Sequence, residues 1–131
     1  MSIALGLYGE QLFIAECIKR NIFLNRPIID SKGYDFLIDT PSKFTKVQVK
    51  SVYNKMPSRN SYKVNLNKGC DNKKEYTSNC FDVLVIYVAP ENYWLIIPYN
   101  KLETNYIRIS NNTLNRYLNE YVNNWSILSG D

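Results

Sequence analysis

The stretch Tyr34-Asp35-Phe36-Leu37-Ile38-Asp39-Thr40-Pro41-Ser42-Lys43-Phe44-Thr45-Lys46-Val47-Gln48-Val49-Lys50-Ser51 decides the fold. Two period-two segments, Tyr34 to Asp39 and Phe44 to Ser51, flank a four-residue connection with turn chemistry, which predicts a β-hairpin. Centring the turn between Pro41 and Ser42 pairs residues whose numbers sum to 83, so Asp35 lies across from Gln48. Side chains alternate along a strand. Asp35, Leu37, Asp39, Phe44, Lys46, Gln48 and Lys50 therefore share one face, and Tyr34, Phe36, Ile38, Thr45, Val47 and Val49 the other, which is core. On the first face opposed Cα atoms stand about 4.5–5.5 Å apart, bringing a carboxylate, an amide and an ammonium within reach of one ion or phosphate. Polar residues on a hairpin face also arise simply where water covers it.

Working toward the amino terminus, Pro27-Ile28-Ile29-Asp30 reads as a short strand followed by a Ser31-Lys32-Gly33 turn. Ser2 to about Arg20 has helical apolar spacing and no Pro, hence one amphipathic helix. At 100° per residue Glu10 projects between Ile14 and Cys17, on the core-facing arc, while Gln11, Glu16, Lys19 and Arg20 occupy the other half. An ionised carboxylate there needs a cation or hydrogen-bond donors, and a divalent metal or the Lys50 ammonium would serve. An acid favoured by the dipole of the first helical turns is the alternative.

Toward the carboxyl terminus, Tyr62 to Leu66 reads as a further strand and Asn67 to Asn79 as a long loop or mobile flap. Phe81 to Val88 and Tyr93 to Ile97 look like central strands buried on both sides, and Ile107 to Ile109 like one short strand more. A last helix from about Asn112 to Val122 carries an apolar stripe of Leu114, Tyr117, Leu118, Tyr121 and Val122. Helix, then mostly strands, then helix predicts an α/β fold around one mixed sheet, with residues 1–131 forming a single domain.

Composition narrows the chemistry. A 45% hydrophobic share against 21% charged and 14% aromatic describes a chain that fills a core. No apolar run approaches the ~18–20 residues of a membrane span and no secretory signal opens the chain, so a cytoplasmic location away from membranes is expected. Cys17, Cys70 and Cys80 form no CxxC pair, which argues against a zinc site or disulfide framework and predicts reduced thiols. Histidine is absent, excluding Ser-His-Asp hydrolases and His-metal nucleases. The net charge of +4 is unevenly placed: Lys43 to Lys74 holds nine basic residues and one acid, a net +8, and the remainder −4. Interleaved with Tyr53, Tyr62 and several asparagines, this stretch suits a phosphate-tracking surface, a solvated basic loop being the plainer reading.

Gly9-Glu10 on the opening helix, Gly33-Tyr34-Asp35 starting a strand and Val47-Gln48-Val49-Lys50-Ser51 on the next resemble the PD-(D/E)xK nuclease superfamily, in a variant with glutamine for the usual acid. Phe81-Asp82-Val83-Leu84 followed by Tyr93-Trp94-Leu95-Ile96-Ile97-Pro98 resembles its group I intron homing endonuclease branch, and the resemblance spans roughly residues 6–100. It implies a restriction-endonuclease-like α/β fold, a central mixed β-sheet flanked by helices. It also implies cleavage of double-stranded DNA dependent on Mg²⁺, for which Mn²⁺ would substitute, and a homotetramer. No nucleotide cofactor is expected. Asp35 would be the principal metal ligand, joined by the Val49 carbonyl and Glu10, directly or through water. Lys50 would orient the attacking water or stabilise charge on the scissile phosphate, and Gln48 would position water or metal. A junction-resolving or restriction-type nuclease of the same fold and a non-catalytic DNA-binding module are the alternatives.

Lys46, Lys55, Arg59, Lys63, Lys73 and Lys74 are the expected DNA contacts, with specificity between Tyr53 and Lys74. A chain of this length has a diameter of some 35 Å and spans about one turn of B-DNA, so cutting both strands calls for a two-fold oligomer, dimer or tetramer. Tyr117, Tyr121 and Trp125 form either its interface or part of the core.

Overall fold

The computed structural model describes residues 3–29, 33–57, 59–66 and 80–130. Helix α1 (Ile3–Lys19) opens the chain. It stops because Asn21 adopts a left-handed conformation (φ 60°), letting the Ile22 N–H close on the Cys17 carbonyl at 2.8 Å and the Asn21 N–H on that of Ile18 at 3.1 Å. Next come β1 (Phe23–Asn25), β2 (Phe36–Asp39), β3 (Phe44–Val52), β4 (Tyr62–Asn65), β5 (Val83–Val88), β6 (Tyr93–Pro98) and β7 (Tyr106–Ile109). The main sheet has the order β1-β2-β3-β5-β6, antiparallel except for the parallel β3–β5 pair. It is the mixed sheet flanked by helical segments that characterises the restriction-endonuclease-like α/β fold.

The β2–β3 hairpin has the expected register, from Asp39↔Phe44 to Phe36↔Val47. Its turn is closed by the Thr40 and Lys43 backbones, with the Thr40 hydroxyl donating to the Lys43 carbonyl at 3.0 Å. Phe13 and Cys17 of α1 are fully buried against Phe36, Ile38, Val47 and Val85 on one face of the sheet. Burying each such aromatic contributes roughly 2–3 kcal/mol. Trp94 and Trp125 join Phe13 there, with ring centroids 5.5–6.1 Å apart. Leu84, Ile86, Leu95 and Ile97 line the opposite face. It is covered by β4 and β7, which form a separate two-stranded sheet, and by Leu118 and Tyr121.

Several expectations are corrected. The strand anticipated at residues 27–30 lies earlier, at Phe23–Asn25, where it pairs with Leu37–Asp39. Pro27 offers no N–H to a ladder, and Ile28 and Ile29 are exposed. One sheet became two, because β4 and β7 pair with each other and not with the main sheet. Although buried on both faces, β6 is an edge strand. The carboxyl-terminal segment shields it through a Leu95↔Val122 bridge and the Asn123 side chain, whose Oδ1 accepts from the Trp94 N–H at 2.9 Å. The last helix starts at Asn111 behind a Ser110–Thr113 capping box, then widens to a π turn over Leu114–Leu118 and tightens to a 3-10 turn over Asn119–Tyr121. Tyr121 and Trp125 belong to the core, while Tyr117 is exposed. Cys17 is a free buried thiol, but Cys80 is disulfide-bonded, against the expectation of reduced thiols, its partner lying outside the described residues. The flap expected at residues 67–79 also lies outside them, as do Asp30, Ser31 and Lys32. No described helix is long and apolar enough to cross a membrane.

Candidate active site

Beyond Phe36 the hairpin leaves its register. The Asp35 N–H donates to the Val47 carbonyl at 2.8 Å, one residue out of step with the ladder, so Asp35 is not directly opposite Gln48 as expected. Strand alternation breaks at this bulge: Phe36 sits in the core beneath α1, whereas Tyr34 packs against the opposite cluster. The Asp35 carboxylate is thereby aimed along the margin of β3, where its Oδ2 accepts the Val49 N–H at 2.8 Å. A side chain thus takes the place of a strand carbonyl and is held by it.

Gln48, expected on the polar face of the hairpin with Asp35 and Lys50, is buried. Its Nε2 donates to the Gly33 carbonyl at 3.0 Å, and its Oε1 accepts no hydrogen bond among the described residues. An acceptor buried without a partner costs about 1–3 kcal/mol. Gly33 is required for this contact, since it lies at φ 141° and a Cβ would stand 2.5 Å from that of Cys80.

Helix α1 contributes from above. Gly9 lets it come close to β3, for a Cβ there would be 2.8 Å from Ser51 Oγ and 3.0 Å from Ser51 Cβ. The Tyr53 hydroxyl donates to the Leu5 carbonyl at 2.9 Å, tying the residue just after β3 to the helix start. Glu10 is partly buried, as its arc on the helix suggested, but its cation is Arg26, whose Nη2 is 3.1 Å from Glu10 Oε1, rather than Lys50. The Arg26 guanidinium lies over the Phe36 ring, 4.9 Å from its centroid. Nothing in the local sequence signals Arg26, which chain folding alone brings to the helix.

Glu10, Asp35, Gln48, Val49 and Lys50, with Gly6 and Ser51, line one cleft of about 290 Å³. All five residues singled out from sequence therefore come together. The donors are oxygens: two carboxylates, a buried amide oxygen and strand carbonyls. Among the described residues no group of three or more His, Cys, Asp or Glu forms. Mg²⁺ takes hard oxygen ligands, is held by one or two carboxylates and keeps several waters, so this donor set fits it.

A second groove, of about 350 Å³, shares Lys50 and Ser51 with the cleft and is lined further by Tyr53, Asn54, Lys63 and Asn65. Of the expected DNA contacts, Lys63 lies on it and is exposed, as is Arg59. Lys46 is half-buried on β3, its backbone N–H donating to Asp82 Oδ2 at 2.9 Å, which explains the lone acid before β5. Lys55 is drawn toward Asn60 (3.1 Å) and Glu91 (3.9 Å). Lys73 and Lys74 lie outside the described residues.

Comparison with curated protein sequences gives no match. Among solved structures the chain is similar to a bacterial homing endonuclease, I-Ssp6803I, with a TM-score of 0.73 at 21% identity, covering 96% of this chain and 90% of that one. At this identity the likeness establishes the fold. The family model described as PD-(D/E)XK endonuclease matches residues 4–127, a span that takes in every residue lining the cleft. With that match over nearly its whole length, the chain belongs to the PD-(D/E)XK endonuclease family.

Proposed function

We propose that the chain is a Mg²⁺-dependent, site-specific endonuclease of double-stranded DNA, of the homing type, working as one nuclease domain over residues 1–131. The observation that carries this reading is the cleft at the margin of β3, where two carboxylates, a buried amide oxygen without a hydrogen-bond partner among the described residues and a lysine meet. Family membership and the homing endonuclease among its fold neighbours support it.

Asp35, Glu10, the Gln48 Oε1 and the Val49 carbonyl would hold the cation. When bound, a divalent cation supplies Lewis-acid polarisation of a phosphoryl oxygen and lowers the pKa of water. Lys50, which forms no ion pair among the described residues, places its ammonium beside the attacked phosphate and offsets charge developing there. The Val49 N–H fixes the Asp35 carboxylate, and the Gly33 carbonyl fixes the Gln48 amide, so neither must reorganise during reaction. Mn²⁺, another oxygen-seeking ion, would substitute. Scission of both strands calls for two such clefts, hence a two-fold homo-oligomer, dimer or tetramer.

The test is incubation of supercoiled and linear DNA of varied sequence with Mg²⁺, with Mn²⁺ and with chelator. Discrete metal-dependent products are expected from the wild type and none from Lys50→Ala. Wild-type cleavage rates in Lys50→Ala, with the protein folded, would remove this assignment.

A further inference from the structure

The β4–β7 ribbon pairs Lys63 directly with Arg108 and Asn65 with Tyr106. Tyr62, Val64, Ile107 and Ile109 turn into the core, so by alternation Lys63, Asn65, Tyr106 and Arg108 share the outer face. Like charges directly opposed across an antiparallel pair are destabilising. Here nothing anionic relieves them, for neither Lys63 nor Arg108 makes an ion pair among the described residues. Arg108 Nη1 is instead 3.3 Å from both Ser61 Oγ and Met56 Sδ, neutral contacts that orient the guanidinium without neutralising it. Both cations approach the Tyr106 ring, whose centroid is 4.8 Å from Lys63 Nζ and 5.9 Å from Arg108 Cζ. An opposed, aromatic-clasped cation pair on an outer face is matched by a polyanion.

Position points the same way. Lys63 and Asn65 line the groove that shares Lys50 and Ser51 with the cleft. The major groove of B-DNA, about 12 Å wide, admits a two-stranded β-ribbon, and four strand residues at about 3.3 Å each cover three to four base pairs. We propose that the outer face of the β4–β7 ribbon enters the major groove beside the scissile phosphate, with Arg108 and Asn65 reading base edges and Lys63 on the phosphate backbone. Arg108 and Tyr106 lie outside the basic stretch of the sequence, so this face is assembled only in three dimensions. The inference rests on the nuclease reading and names its specificity-determining residues.

The experiment selects bound duplexes from a pool of randomised DNA in Ca²⁺, comparing the wild type with Arg108→Lys, Asn65→Ala and Lys63→Ala, alongside cleavage in Mg²⁺. Arg108→Lys keeps the charge but loses the planar fork. It and Asn65→Ala are each expected to erase preference at one base pair and weaken the selected duplex roughly 10- to 100-fold, leaving unrelated duplex within about threefold. Lys63→Ala is expected to weaken both duplexes alike and lower the salt dependence by about 0.9. Because Asn65 is exposed and its side chain makes no hydrogen bond among the described residues, its variant answers even if Arg108→Lys fails to fold. A wild type that cuts DNA while these variants select the same sequence overturns the ribbon assignment and leaves the nuclease reading standing, and so does binding without sequence preference. A wild type that neither binds nor cuts duplex DNA overturns both.

Discussion

Asp35 and Val49 are joined by a 2.8 Å hydrogen bond in which a backbone N–H of β3 donates to a carboxylate where β2 has dropped out of register. One bond closes an otherwise open strand margin and aims the acid that the proposed chemistry needs. Structural and catalytic roles of Asp35 are thus separable by substitution.

Asp35→Asn retains an acceptor for the Val49 N–H, whereas Asp35→Ala leaves that donor unpaired. Both variants are expected to lose DNA cleavage by at least ~100-fold, since neither keeps the carboxylate charge. Only the alanine variant is expected to lose stability as well, by about 1–3 kcal/mol. Urea denaturation beside a plasmid-nicking assay separates the two effects. An equally destabilised Asp35→Asn would show that the bond needs the charge.

Gly9→Ala places a methyl group 2.8 Å from Ser51 Oγ and 3.0 Å from Ser51 Cβ. The helix must then lift from β3, at a cost of about 1–3 kcal/mol. Adding Ser51→Ala removes the closer of the two contacts, so the double variant is expected to recover part of the loss. Additive single effects in a denaturation cycle would rule out the direct clash.

Arg26 forms an ion pair with Glu10, its Nη2 3.1 Å from Glu10 Oε1. Both side chains are partly exposed, at 44% and 30%, so Arg26→Gln is expected to change stability by less than ~1 kcal/mol. Removing this competing positive charge is expected to lower the Mg²⁺ concentration giving half-maximal cleavage by roughly two- to fivefold. A Mg²⁺ titration of cleavage rate checks it, and an unchanged or raised midpoint would contradict it.

Burial pushes the Cys17 thiol up to about 12, a contribution that the nearby Arg20 only partly offsets. A group whose folded pKa is raised contributes stability present below its unfolded pKa and lost as pH rises toward the folded one. For Cys17 that window runs from the ordinary thiol value of 9.0 to about 12. Its stabilisation is expected to be flat below the window and to fall within it by up to about 1.4 kcal/mol per pH unit. The wild-type stability profile minus that of Cys17→Ala isolates this contribution, because Tyr93, also raised to about 12, is common to both. Iodoacetamide at pH 8 should accordingly modify Cys17 in the denatured protein but not in the folded one.

Much of this architecture is a local matter and can be read along the chain. Alternation from Phe36 to Asp39 and from Phe44 to Val47, with Pro41 in a four-residue connection, determined a hairpin whose register the structure reproduces from Asp39↔Phe44 to Phe36↔Val47, as far as the bulge at Asp35. Helical spacing determined α1 and put Glu10 beside its buried arc, and the runs at residues 81–88 and 93–97 determined two strands buried on both faces. These features follow from periodicity and turn chemistry, which depend on neighbours a few residues apart.

Tertiary structure decided what depends on distant partners. The bulge at Asp35 arises because the Val47 carbonyl accepts one residue early, and no local pattern announces it. Glu10 found Arg26 sixteen residues away, although Lys50 lines the same cleft. Tyr62–Asn65 and Tyr106–Ile109 each read as a short strand, but their pairing with one another, and with it the opposed Lys63 and Arg108, required the chain to close over some forty residues. Periodicity places a side chain on a face of its own element. Which other element meets that face, and so whether a charge there is neutralised, buried or left for a ligand, is set by long-range packing that the one-dimensional pattern does not contain.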